Sequence, residues 1–410
     1  MARPLLALGL AVLACSQPEL PPVTTAVPAV SAEPEIRVGL AVNVARTVIG
    51  GGGELRLESL DGSVLGVVPP GGTATILRGA QGLLVRQGVE RIASVQALSV
   101  LPADSALVRF NGRDYRGWLT LSSGAAGIVA ANVVGLETYL AGVVAAEMGR
   151  RNAEDAAALK AQAVLSRTVA MRALGRWRLR GYDLVATVAD QAYAGVGFEY
   201  PLATLAVAET RGEVLTWDGR LIDGFFHSTC AGRTADGSEI FVNATAPYLR
   251  SIRDEDAQGR AWCSISPRWR WREEWSRESL IRMLRETIAA TGGSAAIADD
   301  PIDIRVLETS PTGRVTRLEV AGAAGRHEVT RHGVRQLLRP ADAAILRSPT
   351  FTLQTTREGD RLIRLVAEGA GAGHGVGMCQ WGALGRSRAG FSYRDILAAY
   401  FPGTEIGRTF

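Results

Sequence analysis

Residues 135–174 constrain the fold more than any other stretch, because they carry two helical patterns separated by a short break. In the first pattern, Leu136, Leu140, Val143 and Glu147 recur at the three- and four-residue spacing that places side chains on one helix face. Three of the four are apolar, so this face is predicted to point inward. The same face therefore ends with a carboxylate beside the core.

A carboxylate at such a position has two interpretations. Burying an ionised carboxylate is costly, so Glu147 is expected either to pair with a basic group or to retain its proton. A retained proton is what a general acid needs near neutral pH. An ion pair would instead only hold two helices together, and the spacing alone leaves both interpretations open.

The second pattern predicts a longer helix. Asn152 is a favourable N-cap, and Asp155 follows three residues later, as in a capping box. Alanine-rich sequence continues to about Leu174, and Gly175 is a typical terminator.

Lys160 and Arg167 lie seven residues apart on this second helix and therefore share a face. Lys160 is the only lysine among the 410 residues, since every other basic residue is arginine. A compact ammonium and a planar guanidinium are not interchangeable at a fitted site. The single lysine therefore indicates a position with a specific role.

The fold class predicted for the chain is α+β. Residues 36–133 alternate apolar and polar side chains between Gly and Pro clusters, which predicts a β-rich N-terminal region. Residues 134–410 combine the helices with further strands and form the expected functional region, which includes an α/β subdomain at 267–350. A net charge of +4 argues against a nucleic-acid partner, and a basic cluster with interleaved aromatics occurs only in the short stretch Pro267-Arg-Trp-Arg-Trp-Arg. The alternation of Trp and Arg there predicts a strand with one apolar face packed in a core, with stacking on sugar rings as the alternative.

The N-terminus predicts export. Residues 1–15 contain one arginine and a short apolar run, too short to span a membrane. The segment Val12-Leu-Ala-Cys15 resembles a bacterial lipobox, which makes Cys15 the expected lipidation site; an ordinary secretory signal is the alternative. Residues 16–35 hold five prolines and are predicted to be a tether from an envelope membrane.

Two blocks of sequence resemble the SpoIID/LytB family of cell-wall proteins. The first is Leu136-Glu-x-Tyr-Leu-x-Gly-Val-Val-x-x-Glu-Met, followed by Ala-Leu-Lys-Ala-Gln-Ala-Val-x-Ser-Arg-Thr. The second is Gly373-His-Gly-Val-Gly-Met-Cys-Gln-Trp-Gly-Ala, which has Cys379 where the family usually has Ser. The elements Phe225-Phe-His-Ser-Thr-Cys and Pro247-Tyr-Leu-Arg-Ser-Ile-Arg-Asp are also similar, so the resemblance covers about residues 36–410.

The resemblance implies a lytic transglycosylase that cleaves MurNAc–GlcNAc bonds of peptide-stripped peptidoglycan strands and leaves 1,6-anhydroMurNAc ends. Glu147 would be the catalytic acid of this lyase. The substrate-binding residues that it implies are Lys160, Arg167, Gln191, Tyr193, His227, His374 and Gln380. The alternative is a non-catalytic peptidoglycan-binding module that modifies an N-acetylmuramoyl-L-alanine amidase, because relatives of the LytB type are described as amidase modifiers.

Cys230 and Cys263 allow more than one interpretation. In an oxidising compartment a disulfide is natural, and free thiols are the other common state. The resemblance adds a zinc site, for which His227, Cys230 and Cys263 are the candidate ligands. Three ligands at irregular spacing fall short of the four that a closed zinc site needs. No metal or other cofactor is therefore expected, with Zn²⁺ as the alternative.

Five glycines alternate with other residues between Gly369 and Gly377. Alternating glycines allow a backbone to pass close to another surface, and this stretch surrounds His374 with little side-chain bulk. A close approach to a neighbouring segment or to a ligand is therefore predicted here.

Overall fold

The computed structural model describes residues 32–410. The predicted export signal, the predicted lipidation of Cys15 and most of the Pro-rich tether lie outside these residues. Helices and strands are both abundant, and strands dominate the N-terminal part, so the predicted α+β class is confirmed. Within residues 32–410, no helix is both long and apolar enough to cross a membrane.

The strands, in chain order, are β1 (Glu35–Val44), β2 (Arg46–Gly51), β3 (Leu55–Ser59), β4 (Val64–Val68), β5 (Thr73–Gly79), β6 (Gly82–Gln87), β7 (Glu90–Val95), β8 (Ala97–Pro102), β9 (Val108–Phe110), β10 (Arg113–Tyr115), β11 (Trp118–Ser123), β12 (Ile128–Gly135), β13 (Leu184–Val185), β14 (Glu213–Trp217), β15 (Arg220–Leu221), β16 (Phe226–His227), β17 (Arg270–Ser276), β18 (Pro301–Thr309), β19 (Val315–Gly322), β20 (Gly325–Thr330), β21 (Phe351–Glu358), β22 (Arg361–Ala370), β23 (Met378–Cys379) and β24 (Glu405–Arg408). The helices are α1 (Leu136–Met148), α2 (Ala156–Ala173), α3 (Pro201–Glu209), α4 (Gly237–Ile240), α5 (Arg277–Ala290), α6 (His332–Leu337), α7 (Gln380–Arg388) and α8 (Tyr393–Tyr400).

The described chain forms two compact units, one of which combines residues 32–224 with residues 386–410. Its largest sheet has the strand order β13-β1-β12-β11-β8-β3-β4, and a six-stranded sheet has the order β10-β9-β2-β5-β6-β7. Strand β12 pairs on both sides, with β1 and β11, and is buried along almost its whole length. It runs directly into α1, so the centre of the sheet fixes where that helix begins.

Helices α1 and α2 pack against each other in this unit. About half of the buried side chains of α2 are small, chiefly alanine. Small side chains allow two helices to pack closely. The predicted capping box of Asn152 and Asp155 forms just before α2. Asp155 is fully buried and also accepts hydrogen bonds from Arg388, which joins the C-terminal segment to the start of α2.

Residues 225–385 form the second unit. The sheets β17-β22-β21 and β18-β19-β20 enclose, together with α5, an apolar core that includes Trp275, Leu284, Leu318 and Leu365. Strand β17 carries Trp271 and Trp275, and Trp275 is buried in this core. A separate parallel pair joins β16 to β23 and thereby joins the two motifs that contain His227 and Cys379.

Candidate active site

Glu147 lies in the last turn of α1. The face predicted from the spacing is inward, since Leu136, Leu140 and Val143 are fully buried, whereas Glu147 at its end is half-buried. The backbone N–H of Ala192 donates a 2.7 Å hydrogen bond to Oε1 of Glu147. The carboxyl group is therefore held in place at the edge of a packed helix face.

Glu137 of α1 forms an ion pair with Arg167 of α2 that joins the two helices. Arg167 Nε and Nη2 donate to the two carboxylate oxygens of Glu137 at 2.8 and 2.7 Å. Arg167 also donates to the carbonyl oxygens of Val207 and Glu213, at 3.2 and 3.0 Å, and is 0% exposed. The predicted substrate-binding role of Arg167 does not fit this burial, because all its contacts lie within the core.

Lys160 forms a 2.7 Å ion pair with Glu209 of α3, and both side chains are partly exposed. A contact of the partly exposed ammonium group with substrate stays a prediction.

The stretch 190–193, which carries the Ala192 N–H, is held by buried side chains. Gln191 is 0% exposed; it accepts a hydrogen bond from the Tyr139 hydroxyl at 3.1 Å and donates to the Ser166 carbonyl at 3.3 Å. Tyr193 is buried too, and its hydroxyl donates to Asn132 Oδ1 at 2.9 Å.

Burial raises the pKa of Tyr193, so its phenol remains a neutral donor. The predicted substrate contacts of Gln191 and Tyr193 do not fit this arrangement, because neither side chain reaches the surface. Their position indicates that they support the backbone that contacts Glu147.

In the second unit, the predicted close approach of the alternating glycines is confirmed. Gly371, Gly373 and Gly377 have positive φ angles of 79°, 102° and 70°. A Cβ atom at Gly373 would lie 2.7 Å from Cβ of His227, and one at Gly377 would lie 2.2 Å from the carbonyl oxygen of Phe225. Glycine is therefore required for this strip to pass against the segment that carries His227.

His227 and His374 lie close together beside these glycines, with ring centroids 5.6 Å apart. His227 Nδ1 lies 3.1 Å from the Val376 carbonyl oxygen, which can only accept, so this nitrogen carries the proton. Burial lowers the pKa of His227 to about 3 and that of His374 well below its usual value, so both rings are neutral at physiological pH.

The two histidines differ in accessibility. His227 is 4% exposed, so the predicted direct contact with substrate does not fit. Gln380, which begins α7, is 8% exposed and is also essentially enclosed. His374 is half-buried, and its ring packs against Phe241 with a centroid separation of 5.3 Å. A substrate contact therefore remains a prediction for His374.

Next to this segment, three cysteines and one aspartate form a buried group: Cys230, Asp254, Cys263 and Cys379. Their sulfur and carboxylate atoms all lie within 4.8 Å of one another. None of the three cysteines in the described chain forms a disulfide. The structure thus groups the two predicted cysteines with Asp254 and Cys379, and His227 is not a member of this group.

Sequence reasoning missed these two members, although signals for both existed. Cys379 stands out as the residue that replaces the usual Ser of its motif, and Asp254 ends the stretch Pro247-Tyr-Leu-Arg-Ser-Ile-Arg-Asp. Glu137 was also missed, although it lies in the first motif directly after Leu136.

Comparison with known proteins agrees with the helices and motifs described above. The family model described as "Stage II sporulation protein", SpoIID, matches residues 125–217, which include α1 and α2. A domain of unknown function, DUF8618, matches residues 262–377. The chain contains a SpoIID domain at residues 125–217, and its motifs are similar to those of the SpoIID/LytB family.

Individual relatives cover most of the chain. Stage II sporulation protein D of Bacillus subtilis is 27% identical over 286 residues, which are 66% of this chain and 74% of that protein. An uncharacterised protein of Brachyspira hyodysenteriae is 29% identical over 299 residues, which are 72% of this chain and 73% of the relative. The amidase enhancer of Bacillus subtilis is 26% identical over 285 residues, which are 61% of this chain and 38% of the enhancer.

Proposed function

We propose that this protein acts on the bacterial cell wall as a peptidoglycan lytic transglycosylase, with Glu147 as its acid. The observation that carries the proposal is the position of Glu147 at the exposed edge of an otherwise buried helix face, inside the region that matches the SpoIID model. The similarity to Stage II sporulation protein D and to the amidase enhancer supports a cell-wall role.

Glu147 would transfer its proton to the glycosidic oxygen as the bond from that oxygen to C1 of MurNAc breaks. The C6 hydroxyl of the same sugar would then attack C1, and its proton would return to the Glu147 carboxylate. The products are a new hydroxyl end and a 1,6-anhydroMurNAc end, and no water is consumed. One carboxylate is enough for this chemistry, whereas glycoside hydrolases usually need two.

Two features of the structure act on the charge of Glu147. The side chain lies in the last turn of α1, where the negative end of the helix dipole disfavours a further negative charge. The Ala192 N–H stabilises the carboxylate that remains after proton transfer and fixes its orientation. A carboxyl group placed between opposing influences is suited to giving up a proton and taking it back.

The proposed location is the extracytoplasmic face of the cell envelope, with a lipid on Cys15 as the anchor and the Pro-rich residues 16–35 as the tether. Peptidoglycan strands are the proposed substrate. A cell-wall amidase is the proposed protein partner, because one relative is an amidase enhancer.

The test is mass spectrometry of purified, peptide-free glycan strands incubated with the full chain, its Glu147→Gln variant and its Glu154→Gln variant. Gln can accept the same N–H hydrogen bond from Ala192, so the first substitution removes the proton donor and retains the shape. Glu154 is an exposed glutamate in the same region and serves as the matched control. Anhydro-ended fragments are expected from wild type and Glu154→Gln only.

The amidase enhancer relative favours a second candidate, a non-catalytic module that binds strands and modifies an amidase. This candidate needs no acid. Products from neither wild type nor Glu147→Gln, together with equal strand binding by both, would refute the transglycosylase proposal. Stimulation of an added amidase by both proteins would then establish the second candidate.

A further inference from the structure

We propose that Cys230, Cys263, Cys379 and Asp254 bind one zinc ion in a tetrahedral structural site. All four side chains are buried, with relative exposures of 3% for Cys230 and 0% for the other three. They come from three separate parts of the chain, and the structure brings their ligand atoms within 4.8 Å of one another. The inference concerns residues 225–385 alone and does not depend on the proposed reaction.

The distances suit a single four-coordinate ion. With Zn–S bonds of about 2.3 Å and a Zn–O bond of about 2.0 Å, a tetrahedron places two sulfurs about 3.8 Å apart and a sulfur and an oxygen about 3.5 Å apart. The sulfurs of Cys230 and Cys263 are 3.5 Å apart, and Cys230 Sγ lies 3.3 Å from Asp254 Oδ2. Both separations are within about 0.3 Å of the values expected for zinc.

Two backbone N–H groups point at the sulfur of Cys379, and such donors commonly support metal-bound ligands. Cys379 Sγ accepts from the N–H groups of Cys230 and Gly382 at 3.2 and 3.3 Å. These hydrogen bonds suit thiolates, which are stronger acceptors than neutral thiols.

Ala231 accounts for part of this geometry. It has a φ of 64°, in the left-handed region that non-glycine residues rarely occupy, and Gly232 follows with a φ of 93°. Successive N–H groups in such a turn form a concave site for negative charge. The positive φ angles of Ala231 and Gly232 therefore place such a turn directly after Cys230.

A buried cation also lies beside the group. Arg314 is 2% exposed, and its Nη2 donates to the carbonyl oxygens of Cys230 and Arg233 at 3.4 and 2.6 Å. Three thiolates and one carboxylate carry four negative charges, of which Zn²⁺ would neutralise two. The guanidinium group would offset part of the remainder in this low-dielectric surrounding.

A zinc ion accounts for all four side chains of the group, whereas a disulfide does not. A disulfide would join two of the three cysteines and leave the third and Asp254 without a function, whereas one ion uses all four. His227 is not a ligand, because its ring nitrogens do not lie within the group and its Nδ1 donates to Val376. Four protein ligands close the coordination sphere, so the ion would be structural and not catalytic.

The expected effect is a clamp on the segment that carries His227 and on the glycine strip. Cys230 follows His227 by three residues, and Cys379 follows directly after the strip. Zinc would therefore fix the β16–β23 pair at its ends and hold the 254–263 segment to it.

The test is the metal content of the full chain carrying Cys15→Ser, so that the three clustered cysteines are the only thiols. Plasma mass spectrometry after purification without chelators should find about one zinc per chain. The thiol reagent p-chloromercuribenzoate should release that zinc into a chromogenic indicator. Treatment with a chelator should lower the melting temperature of residues 225–385, and added zinc should restore it.

Variants then assign the ligands. Cys263→Ser, Cys379→Ser and Asp254→Asn should each weaken zinc binding at least tenfold. Glu255→Gln, at an exposed neighbouring carboxylate, and His227→Gln should retain a full equivalent of zinc. Release of zinc from the wild-type chain by the thiol reagent shows whether the cysteines hold zinc, even if a variant fails to fold.

Three outcomes would overturn the proposal: no bound or acquired zinc in the wild-type chain, iron in its place, or a disulfide between two of the three cysteines found by peptide mapping. Loss of zinc in His227→Gln would overturn the ligand assignment. Because none of these measurements uses glycan, failure here and failure of the transglycosylase proposal are distinguishable.

Discussion

Replacing Arg167 with Ala should strongly destabilise the unit that contains it rather than weaken substrate binding directly. The substitution removes the bidentate partner of Glu137 and the donor to two core carbonyl oxygens, from Val207 and Glu213. Glu137 is only 9% exposed, so its carboxylate would be left unpaired in the core. Loss of the guanidinium group destabilises the folded unit, because the ion pair no longer offsets the desolvation cost of the Glu137 carboxylate.

Removing one partner of a buried ion pair costs about 3–5 kcal/mol. Folded domains have total stabilities of about 5–15 kcal/mol, so Arg167→Ala would take away a large share. At a urea dependence of about 2.5 kcal/mol per molar, the midpoint of unfolding would fall by about 1–2 M.

Urea denaturation followed by circular dichroism checks this expectation, and Lys160→Ala is the matched control on the same helix. The Lys160–Glu209 pair is 27% and 45% exposed, so solvent screening limits its contribution to about 1 kcal/mol or less. The double variant Glu137→Gln with Arg167→Met should recover much of the loss, because it removes both charges together.

The reasoning would be refuted by an Arg167→Ala chain that keeps the wild-type midpoint but no longer binds glycan strands. That result would mean that the guanidinium group faces substrate. An equal loss of stability in Lys160→Ala would likewise contradict the distinction between the buried and the exposed pair.

Three further predictions concern other parts of the chain. Gly371 and Gly313 have nearly equal φ angles of 79° and 80°, but a Cβ at Gly371 would lie 2.5 Å from a backbone oxygen, whereas one at Gly313 would meet open space. Gly313→Ala should therefore lower the free energy of unfolding by about 1–2 kcal/mol, which is the cost of the backbone conformation alone. Gly371→Ala should lower it by about 1–3 kcal/mol more because of the steric clash, and thermal or urea unfolding measures both losses. Burial lowers the pKa of His332 to about 4, below its unfolded value of about 6.5. The contribution of the neutral ring to stability is therefore fully present above about pH 6.5 and falls on acidification, by up to about 2 kcal/mol at pH 5. His332→Gln should remove this part of the pH dependence of the unfolding free energy, and an unchanged pH dependence would contradict the prediction. Tyr193→Phe leaves Asn132 Oδ1 without its phenolic donor and should lower the free energy of unfolding by about 1 kcal/mol, with the affinity for glycan strands unchanged. Reduced affinity at unchanged stability would instead show that Tyr193 contacts substrate.

Local chemistry allowed much of the fold to be predicted. The capping boxes at Asn152 and at Ser392 both form, because the signal lies within four consecutive residues. The turn at Asp218-Gly219 connects β14 to β15, with positive φ at both residues, as its sequence predicts. These features depend on neighbours in the chain and need no tertiary information.

The site was less predictable, because its contacts join distant parts of the chain. Helical spacing shows that Arg167 shares a face with Lys160, but it does not show which carboxylate lies opposite, and the partner proved to be Glu137, 30 positions away. The hydrogen bond from Cys230 to Cys379 spans 149 positions. No spacing rule connects residues so far apart, so only the tertiary structure identifies the buried thiol group.

The C-terminal segment has a consequence for how this protein is synthesised. Strand β24 pairs with β14, and Tyr393 and Arg394 of α8 bond to Glu213, so residues 386–410 complete a unit that began at the N-terminus. A ribosome has therefore released residues 225–385, with their own core, before the earlier unit has received its last strand. Late emergence of β24 makes the second unit the first able to fold completely, and loss of residues 386–410 would damage the unit that contains residues 32–224.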